Sequence, residues 1–149
     1  KGVQPITNFE ASRYLGKWYE VARLENRFER GLEQVTATYG KRSDGGISVL
    51  NRGYDPVKNK WNESEGKAYF TGEPTTAALK VSFFGPFYGG YNVIRLDDKY
   101  QYALVSGPNR DYLWILSRTP TIPDAVKQDY LNTARSLGFR VDQLVWVKQ

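Results

Sequence analysis

Residues 77–106 read AALKVSFFGPFYGGYNVIRLDDKYQYALVS. Three runs rich in Val, Ile, Tyr and Phe are separated in this stretch by Gly-Pro at 85–86 and by Asp-Asp-Lys at 97–99. Short β-branched and aromatic runs bounded by Gly, Pro and Asp are typical of strands joined by tight turns. The stretch therefore predicts three consecutive strands, at 77–83, 90–96 and 100–106.

The same pattern continues on both sides of this stretch. Turn sequences such as Ser-Asp-Gly-Gly at 43–46 and Gly-Pro-Asn at 107–109 separate further runs of strand-forming residues. Consecutive strands with short connections form a meander, and closing a meander into a barrel removes both of its exposed edges. We therefore predict an all-β fold, an eight-stranded antiparallel up-and-down β-barrel. Its strands are expected at 17–24, 34–41, 47–53, 60–68, 77–83, 90–96, 100–106 and 112–117.

One segment departs from the strand pattern. Between 123 and 137, apolar residues recur at three- and four-residue spacing, with Pro at the start and Gly just past the end. This pattern predicts one amphipathic helix that packs its apolar stripe on the outside of the barrel. A short ninth strand is expected at 143–147, and the absence of linkers and repeats predicts a single domain over 1–149. The apolar stripe consists of Val126, Tyr130, Leu131, Ala134 and Leu137.

The composition limits the chemistry of the chain. Its 149 residues include no Cys and no His, and 21 Lys and Arg against 16 Asp and Glu give a formal charge of +5. Without His or Cys, the commonest general base, metal ligand and thiol nucleophile are missing. We therefore predict no catalytic residues, no metal and no cofactor. The basic charge favours anionic partners such as phosphate headgroups, fatty carboxylates or nucleic acid.

The interior of an eight-stranded barrel can be filled by side chains or can hold one small ligand. Strand alternation turns every second residue inward. Small or polar residues at candidate inward positions, such as Ala37, Asn51, Ser64 and Asn92, would leave volume empty in a filled core but suit the lining of a cavity. Strands with one wet and one dry face would give the same alternation, so both interiors stay open at this point.

Three short segments, in order, resemble the motifs of one family. The segment YLGKWYE at 14–20 resembles the G-x-W motif that opens the first strand of the lipocalins. Asp-Asp-Lys at 97–99 falls where the family has T-D-Y, with Lys in place of Tyr, and LSRTP at 116–120 matches the third motif. The whole chain therefore resembles a lipocalin. Two further segments, RFERGL at 27–32 and FFGPFYGGY at 83–91, resemble the bacterial lipocalins in particular and the apolipoprotein D branch more distantly.

The resemblance implies structural roles for four motif residues. Trp18 is expected to close the base of the barrel, with Arg118 packed across its ring as a cation over an aromatic face. Gly16 belongs to the same first motif, and Asp98 takes the acidic position of the second motif. None of these four residues is expected to contact a ligand.

The resemblance also implies a calyx that binds a fatty acid or a lysophospholipid. The first, third, fifth and seventh hairpins are expected at its mouth, where Arg27 and Arg110 are candidates for pairing with a carboxylate or phosphate headgroup. The residues expected to line the calyx are Ala37, Tyr39, Val49, Asn51, Ser64, Leu79, Val81, Phe83, Asn92, Ile94, Val105, Tyr112 and Trp114.

The implied role is non-enzymatic storage or transport of lipid at the bacterial outer membrane, on its periplasmic side. Full-length relatives carry a lipid anchor upstream, and this sequence contains no anchoring cysteine. The basic and aromatic residues of the predicted mouth loops suit docking on a membrane surface. No nucleic-acid partner is expected, and formation of a homodimer is left open.

Two alternatives compete with this interpretation. A lipocalin-fold enzyme acting on a bound lipid would use tyrosines or Glu20, which shares the inward parity of Trp18. Strict alternation places Arg23 on the opposite face, so Glu20 has no predicted partner although a buried carboxylate needs one. An OB-type nucleic-acid-binding barrel would explain the basic, aromatic composition, but it predicts about five strands and an exposed aromatic stripe.

Overall fold

A computed structural model describes residues 2–149 and contains nine strands and two α-helices within that range. The short helix α1 (Ala11–Tyr14) precedes the first strand, α2 (Asp124–Ser136) follows the eighth, and a 3-10 turn (Val141–Gln143) leads into the ninth. The strands are β1 (Gly16–Leu24), β2 (Glu33–Lys41), β3 (Ile47–Asp55), β4 (Lys60–Phe70), β5 (Ala78–Phe84), β6 (Phe87–Leu96), β7 (Tyr102–Ser106), β8 (Leu113–Ser117) and β9 (Leu144–Trp146).

The first eight strands close into an antiparallel barrel. Each strand pairs with its successor along the chain, and β1 closes the ring because it pairs with both β2 and β8. Strand β9 adds to the part of β1 that β2 leaves unpaired, from Ala22 to Leu24. The predicted eight-stranded up-and-down barrel is therefore confirmed, and its strand number differs from that of an OB fold.

The predicted strand bounds lie within three residues of those in the structure. Helix α2 is one residue shorter at each end than predicted, because Pro123 and Leu137 are its caps. Helix α1 was not predicted, since four residues are too few to show a helical period. None of the helices in residues 2–149 combines the length and apolar character that crossing a bilayer requires.

Two apolar clusters lie on opposite sides of the sheet. The inner cluster fills the barrel from Trp18 at the base to Val105 and partly buried Trp114. The outer cluster lies between the barrel wall and α2, where Tyr130 and Ala134 are buried. The Tyr130 hydroxyl donates to the carbonyl of Tyr102 at 2.9 Å, so the helix is attached to β7 by a hydrogen bond as well as by apolar contact.

A β-bulge in β6 corrects two predicted lining residues. Tyr91 and Val93 belong to the inner cluster, so alternation turns Asn92 outward. The bulge between Val93 and Arg95 then places Ile94 in the outer cluster under α2. The prediction that Asn92 and Ile94 face the interior is wrong, because it extended a strict alternation backward from Leu96 across the extra residue.

The base of the barrel is closed as the family motifs imply. Trp18 is fully buried, its indole Nε1 donates to the carbonyl of Tyr14 at 2.8 Å, and the Arg118 guanidinium lies 3.9 Å from its ring centre. Gly16 has φ of +102°, and a Cβ there would approach Nη1 of Arg118 to 3.4 Å. Glycine therefore suits this position both for its backbone conformation and for the close approach of the arginine.

The acidic residue that closes the β6–β7 turn is Asp97. Its Oδ1 accepts hydrogen bonds from the backbone N–H groups of Gln101 and Tyr102, both at 2.7 Å. Asp98 is exposed, and its main-chain carbonyl accepts a hydrogen bond from Arg13. The structural role predicted for the carboxylate of Asp98 is therefore performed by its neighbour.

Candidate functional site

Protein side chains fill the lower half of the barrel. The cavity that remains there has about 10 Å³ open to the centre of a water molecule, which is the space that one water needs. In this conformation an acyl chain has no room at the base. The cavity is surrounded by Phe9, Tyr14, Tyr39, Ile47, Ala68, Leu79, Val81 and Tyr91.

A chain of three tyrosine hydroxyls crosses this filled region. The Tyr91 hydroxyl lies 2.7 Å from that of Tyr14 and 2.8 Å from that of Tyr39. Burial raises the pKa of all three phenols, so each stays protonated. These hydrogen bonds satisfy polar groups that would otherwise be costly to bury. Together, the three rings form a floor beneath the upper half of the barrel.

Small side chains line the upper half of the barrel. In the strand register, Asn51 lies opposite Ala37 on one side and Ser64 on the other, so all three share the inward face. Ser64 is exposed, on the part of β4 that extends beyond its pairing with β5. Gly89 pairs with inward-facing Val81, and a Cβ built at Gly89 would meet no atom within 4 Å. Open space therefore remains beside Gly89.

Aromatic side chains form part of the wall of this open space. Trp114 is half-buried, and the ring of Tyr112 lies 6.1 Å from it. Phe83 lies over Gly66, where a Cβ would come within 2.7 Å of its ring. Two glycines thus make room for the aromatic wall, since a Cβ at Gly107 would also come within 3.3 Å of the Trp114 ring.

A second β-bulge, in β1, places two charged residues inside the barrel. The strand register shifts between Glu20 and Ala22, so that Arg23 returns to the inward face opposite Trp114. Both side chains are buried, and Nη1 of Arg23 donates to Oε2 of Glu20 at 3.0 Å. The prediction that Glu20 has no partner was therefore wrong, because strict alternation does not hold across a bulge.

Arg23 also holds the loop between β1 and β2 over the barrel. Its Nε donates to Oε1 of Glu25 at 2.7 Å, and its Nη2 donates to the carbonyls of Glu29 and Leu32 at 3.0 and 3.1 Å. Burial opposes the charged guanidinium, but Glu25 and Glu20 raise the pKa of Arg23 above its ordinary value. The cation is thus fully engaged by groups of its own chain.

Glu29 points from this loop into the barrel. Its Oε1 accepts hydrogen bonds from Nε1 of Trp114 and Nδ2 of Asn26, both at 2.9 Å. Burial, and then the neighbouring Glu29 carboxylate, raise the pKa of Glu20 well above its ordinary range, and Arg23 offsets only part of this effect. Within residues 2–149 no group of three or more carboxylates is placed to hold a metal ion.

The structure places most predicted lining residues on the inward face. Seven belong to the inner cluster: Ala37, Tyr39, Val49, Leu79, Val81, Val105 and Trp114. Four more lie on the inward face of the upper half: Asn51, Ser64, Phe83 and Tyr112. Tyr39, Leu79 and Val81 surround the small cavity of the filled base.

The two arginines predicted at the mouth differ in their surroundings. Arg27 is exposed on the β1–β2 loop, with its guanidinium 5.1 Å from the ring centre of Phe28. Arg110 lies on the β7–β8 loop but turns to the outside, where its Nε donates to the carbonyl of Leu137 at 2.7 Å and its guanidinium lies over Phe139. The end of α2 therefore draws Arg110 away from the opening.

Several residues of the site were not predicted. Tyr91 and Val93 line the interior because of the β6 bulge, and Arg23 and Glu29 reach it because of the β1 bulge and the inward fold of the loop. The unpaired carboxyl of Glu20 was a signal for Arg23, because Arg23 and Lys17 are the basic residues of the same strand and each lies three residues from Glu20.

Comparisons with known proteins agree with this architecture. Residues 9–149 match a family model described as a lipocalin-like domain. The chain is 66% identical, over 149 residues covering all of it and 84% of the relative, to the outer membrane lipoprotein Blc of Citrobacter freundii. A more distant relative is apolipoprotein D of Rattus norvegicus, 34% identical over 78% of this chain and 64% of that protein.

A solved structure shows the same fold at low identity. Insecticyanin from the tobacco hornworm Manduca sexta superposes with a TM-score of 0.80 over all of this chain and 85% of the other, with 21% identical residues. The barrel, the order of its motifs and the family match lead to one conclusion. The chain belongs to the lipocalin family, whose members bind small hydrophobic ligands.

Proposed function

We propose that this protein is a non-enzymatic carrier of a single-chain lipid, a fatty acid or a lysophospholipid, at the bacterial outer membrane on the periplasmic side. The observation that carries the proposal is the lining of the upper half, where small inward side chains and aromatic rings lie above a packed base and open space remains beside Gly89. The membrane assignment follows the relatives named outer membrane lipoprotein Blc.

The energetics of burial favour a hydrocarbon tail in this space. Each methylene removed from water contributes about 0.8 kcal/mol, whereas association costs at least about 4 kcal/mol before any contact is counted. A tail that buries several methylenes against Trp114 and Phe83 exceeds that cost without a covalent bond. Binding that is driven by burial of methylenes depends more on the length of the acyl chain than on other chemical features of the lipid.

The charges inside the barrel determine the orientation of the lipid. Arg23 already donates to Glu20, Glu25 and two loop carbonyls, so this buried cation is engaged by its own chain rather than available to a carboxylate inside the barrel. A charged headgroup is therefore favoured outside the barrel, with the tail directed toward the tyrosine floor. Exposed Arg27 remains a candidate partner for such a headgroup, whereas Arg110 is engaged by α2.

Native mass spectrometry tests the proposal directly. The protein as purified is analysed, its ligand is extracted and identified, and the delipidated chain is then offered palmitate, a lysophospholipid and a diacyl phospholipid. We expect a complex with one fatty acid or one lysophospholipid and none with the diacyl lipid. Delipidated protein that takes up neither single-chain lipid would contradict the proposal.

The same experiment separates a carrier from an enzyme. The neighbouring carboxyls of buried Glu20 and half-buried Glu29 are the arrangement in this barrel best suited to acid–base chemistry. One oxygen of each is engaged by the protein itself, since Arg23 donates to Oε2 of Glu20 and both Trp114 and Asn26 donate to Oε1 of Glu29. We expect the bound lipid to be recovered unchanged in mass after prolonged incubation. A homodimer stays a prediction, which sedimentation equilibrium tests.

A further inference from the structure

The exposed apolar side chains of this protein gather at one end of the barrel. Within residues 2–149, eight large hydrophobic residues are exposed, and all except Trp146 lie on the first, third and fifth hairpins, whose turns form the mouth. Val57 is 92% exposed, Phe87 76% and Phe84 72%. The seven residues, which we call the mouth patch, are Phe28, Val57, Trp61, Phe83, Phe84, Phe87 and Tyr88.

On the mouth loops, basic side chains are exposed, whereas most acidic side chains contact their own chain. Four basic residues of the first and third hairpins are exposed: Arg27, Arg30, Lys58 and Lys60. Of the acids in these two loops and their flanking residues, Glu25, Glu29 and Asp55 are engaged by their own chain, and Glu33 is half-buried at the start of β2. Glu25 pairs with Arg23, Glu29 accepts from Trp114 and Asn26, and Asp55 accepts from the backbone N–H groups of Val57 and Lys58. The surface around the mouth patch is therefore basic.

The β5–β6 hairpin of the patch is held in shape before any partner binds. Phe84 pairs with Phe87 across a tight turn of Gly85 and Pro86, and Gly85 has φ of +48°. The Ser82 hydroxyl donates to the carbonyl of Gly85 at 3.1 Å. A fixed hairpin that presents two phenylalanines loses little conformational entropy when it binds.

We propose that the mouth end docks on an anionic phospholipid surface, with the β5–β6 hairpin inserted at the interface and the basic loop residues against the phosphates. Apolar side chains on three separate hairpins suit a bilayer, because hydrocarbon has no fixed shape that these side chains must match. A protein partner would require a complementary surface of about 1,000 Å² or more. Aromatic side chains favour the headgroup level, and each nearby Lys or Arg strengthens attraction to anionic lipid.

The N-terminal segment lies at the same end of the molecule. A Cβ at Gly2 would be 4.0 Å from Nη2 of Arg110, on the β7–β8 loop, and 4.0 Å from Cδ2 of Leu137. A tether on the N-terminal side would therefore hold the mouth end toward the membrane. Docking in this orientation places the mouth of the barrel against a source of lipid. The inference therefore extends the proposed function and rests on it for the biological purpose of docking.

Vesicle co-sedimentation tests the docking. The probes are vesicles of phosphatidylethanolamine with about one third phosphatidylglycerol, and neutral phosphatidylcholine vesicles for comparison. We expect binding to the anionic vesicles that weakens with salt, and a loss of at least about tenfold in the Phe84→Ser/Phe87→Ser variant. The matched control is Trp146→Ser, which removes an exposed aromatic on β9 beside α2 rather than on a mouth hairpin and should bind like the parent.

Two further measurements make the outcome decisive. Binding of a lysophospholipid offered below its micelle concentration should be equal in the parent and the double variant, which shows that the variant is folded and that docking is separate from cavity binding. Arg27→Gln/Arg30→Gln should lower the salt-sensitive part of vesicle binding. Equal vesicle binding by parent and double variant would overturn the inference. Absence of binding to anionic vesicles by the parent protein would also overturn it, as would a double variant whose self-association changes while its vesicle binding does not.

Discussion

The base and the mouth end of this barrel differ in packing and in charge. The base holds a dry cluster of aromatic rings, closed by Trp18 under Arg118 and crossed by three linked tyrosine hydroxyls. The mouth end has small inward side chains, a buried ion pair and exposed apolar side chains on its hairpins. Charged and polar groups occupy part of the upper half, so the apolar base should supply more of the stability of the fold.

The buried charges mark the boundary between these ends. Glu20 and Arg23 lie above the inner apolar cluster and below the β1–β2 loop. Buried ion pairs seldom stabilise a fold more than apolar residues of similar volume would. The pair instead determines where the loop sits, since Arg23 binds two loop carbonyls and Glu25 at once. The contribution of the pair is therefore expected to appear as a loss of unfolding free energy when one partner is removed.

The base should show the largest effect of a single substitution. Trp18→Ala should lower the free energy of unfolding by about 3–5 kcal/mol, because it leaves a cavity beneath Arg118 and removes a buried hydrogen bond. Urea denaturation measures the loss. Trp146→Ala, on an exposed ring, is the control and should change stability by less than about 1 kcal/mol. Equal losses in the two variants would refute the division between the ends.

Removing the buried cation should have the next largest effect. Arg23→Leu should cost about 3 kcal/mol, because it leaves the loop carbonyls and Glu25 without their donor. In the double variant Glu20→Leu/Arg23→Leu, part of that loss should return, since no carboxyl then stays buried without its partner. Denaturant curves of the two single variants and the double variant give the coupling energy. Strictly additive losses would mean that the two residues act independently.

The pH dependence of stability tests the carboxyl pair. The raised pKa of Glu20 means that the folded protein keeps a proton that the unfolded chain has already lost. The contribution of Glu20 to stability should therefore be greatest below the ordinary glutamate pKa of about 4.3, and should be lost by up to about 1.4 kcal/mol per pH unit until the raised pKa is passed. Glu20→Gln should flatten this part of the curve, while Glu65→Gln, exposed on β4, should not. Parallel curves for parent and Glu20→Gln would contradict the assignment.

The smallest effect is expected at the aromatic wall. Trp114→Ala should weaken fatty-acid binding by a factor of several, about 1 kcal/mol, because the tail loses one contact among many. Isothermal titration with palmitate measures the change. Trp61→Ala is the control, since Trp61 is 41% exposed and stacks with Arg52 rather than with the inner cluster. If both variants bind palmitate as the parent does, Trp114 is not part of the site.

The regular parts of the fold could be predicted from the sequence, and the irregular parts could not. Strand alternation and turn residues gave the barrel, and the helical period gave α2, because both patterns repeat over many residues. A bulge adds one residue without a strong sequence signal, so Ile94 was expected inside and Arg23 outside, each the reverse of its position. Asp97 and Asp98 are likewise adjacent and chemically identical, and only the turn geometry distinguishes them.

Filling the open space at Gly89 tests the central claim, that the upper half of the barrel takes a hydrocarbon tail. A Cβ at Gly89 or at Gly72 would meet no atom within 4 Å, but Gly89 faces the interior, whereas Gly72 lies on the exposed β4–β5 loop. Palmitate affinity is measured for Gly89→Phe and for the control Gly72→Phe. We predict a loss of at least about tenfold in the first and none in the second. Parent-like affinity in folded Gly89→Phe would show that the tail does not enter the barrel there.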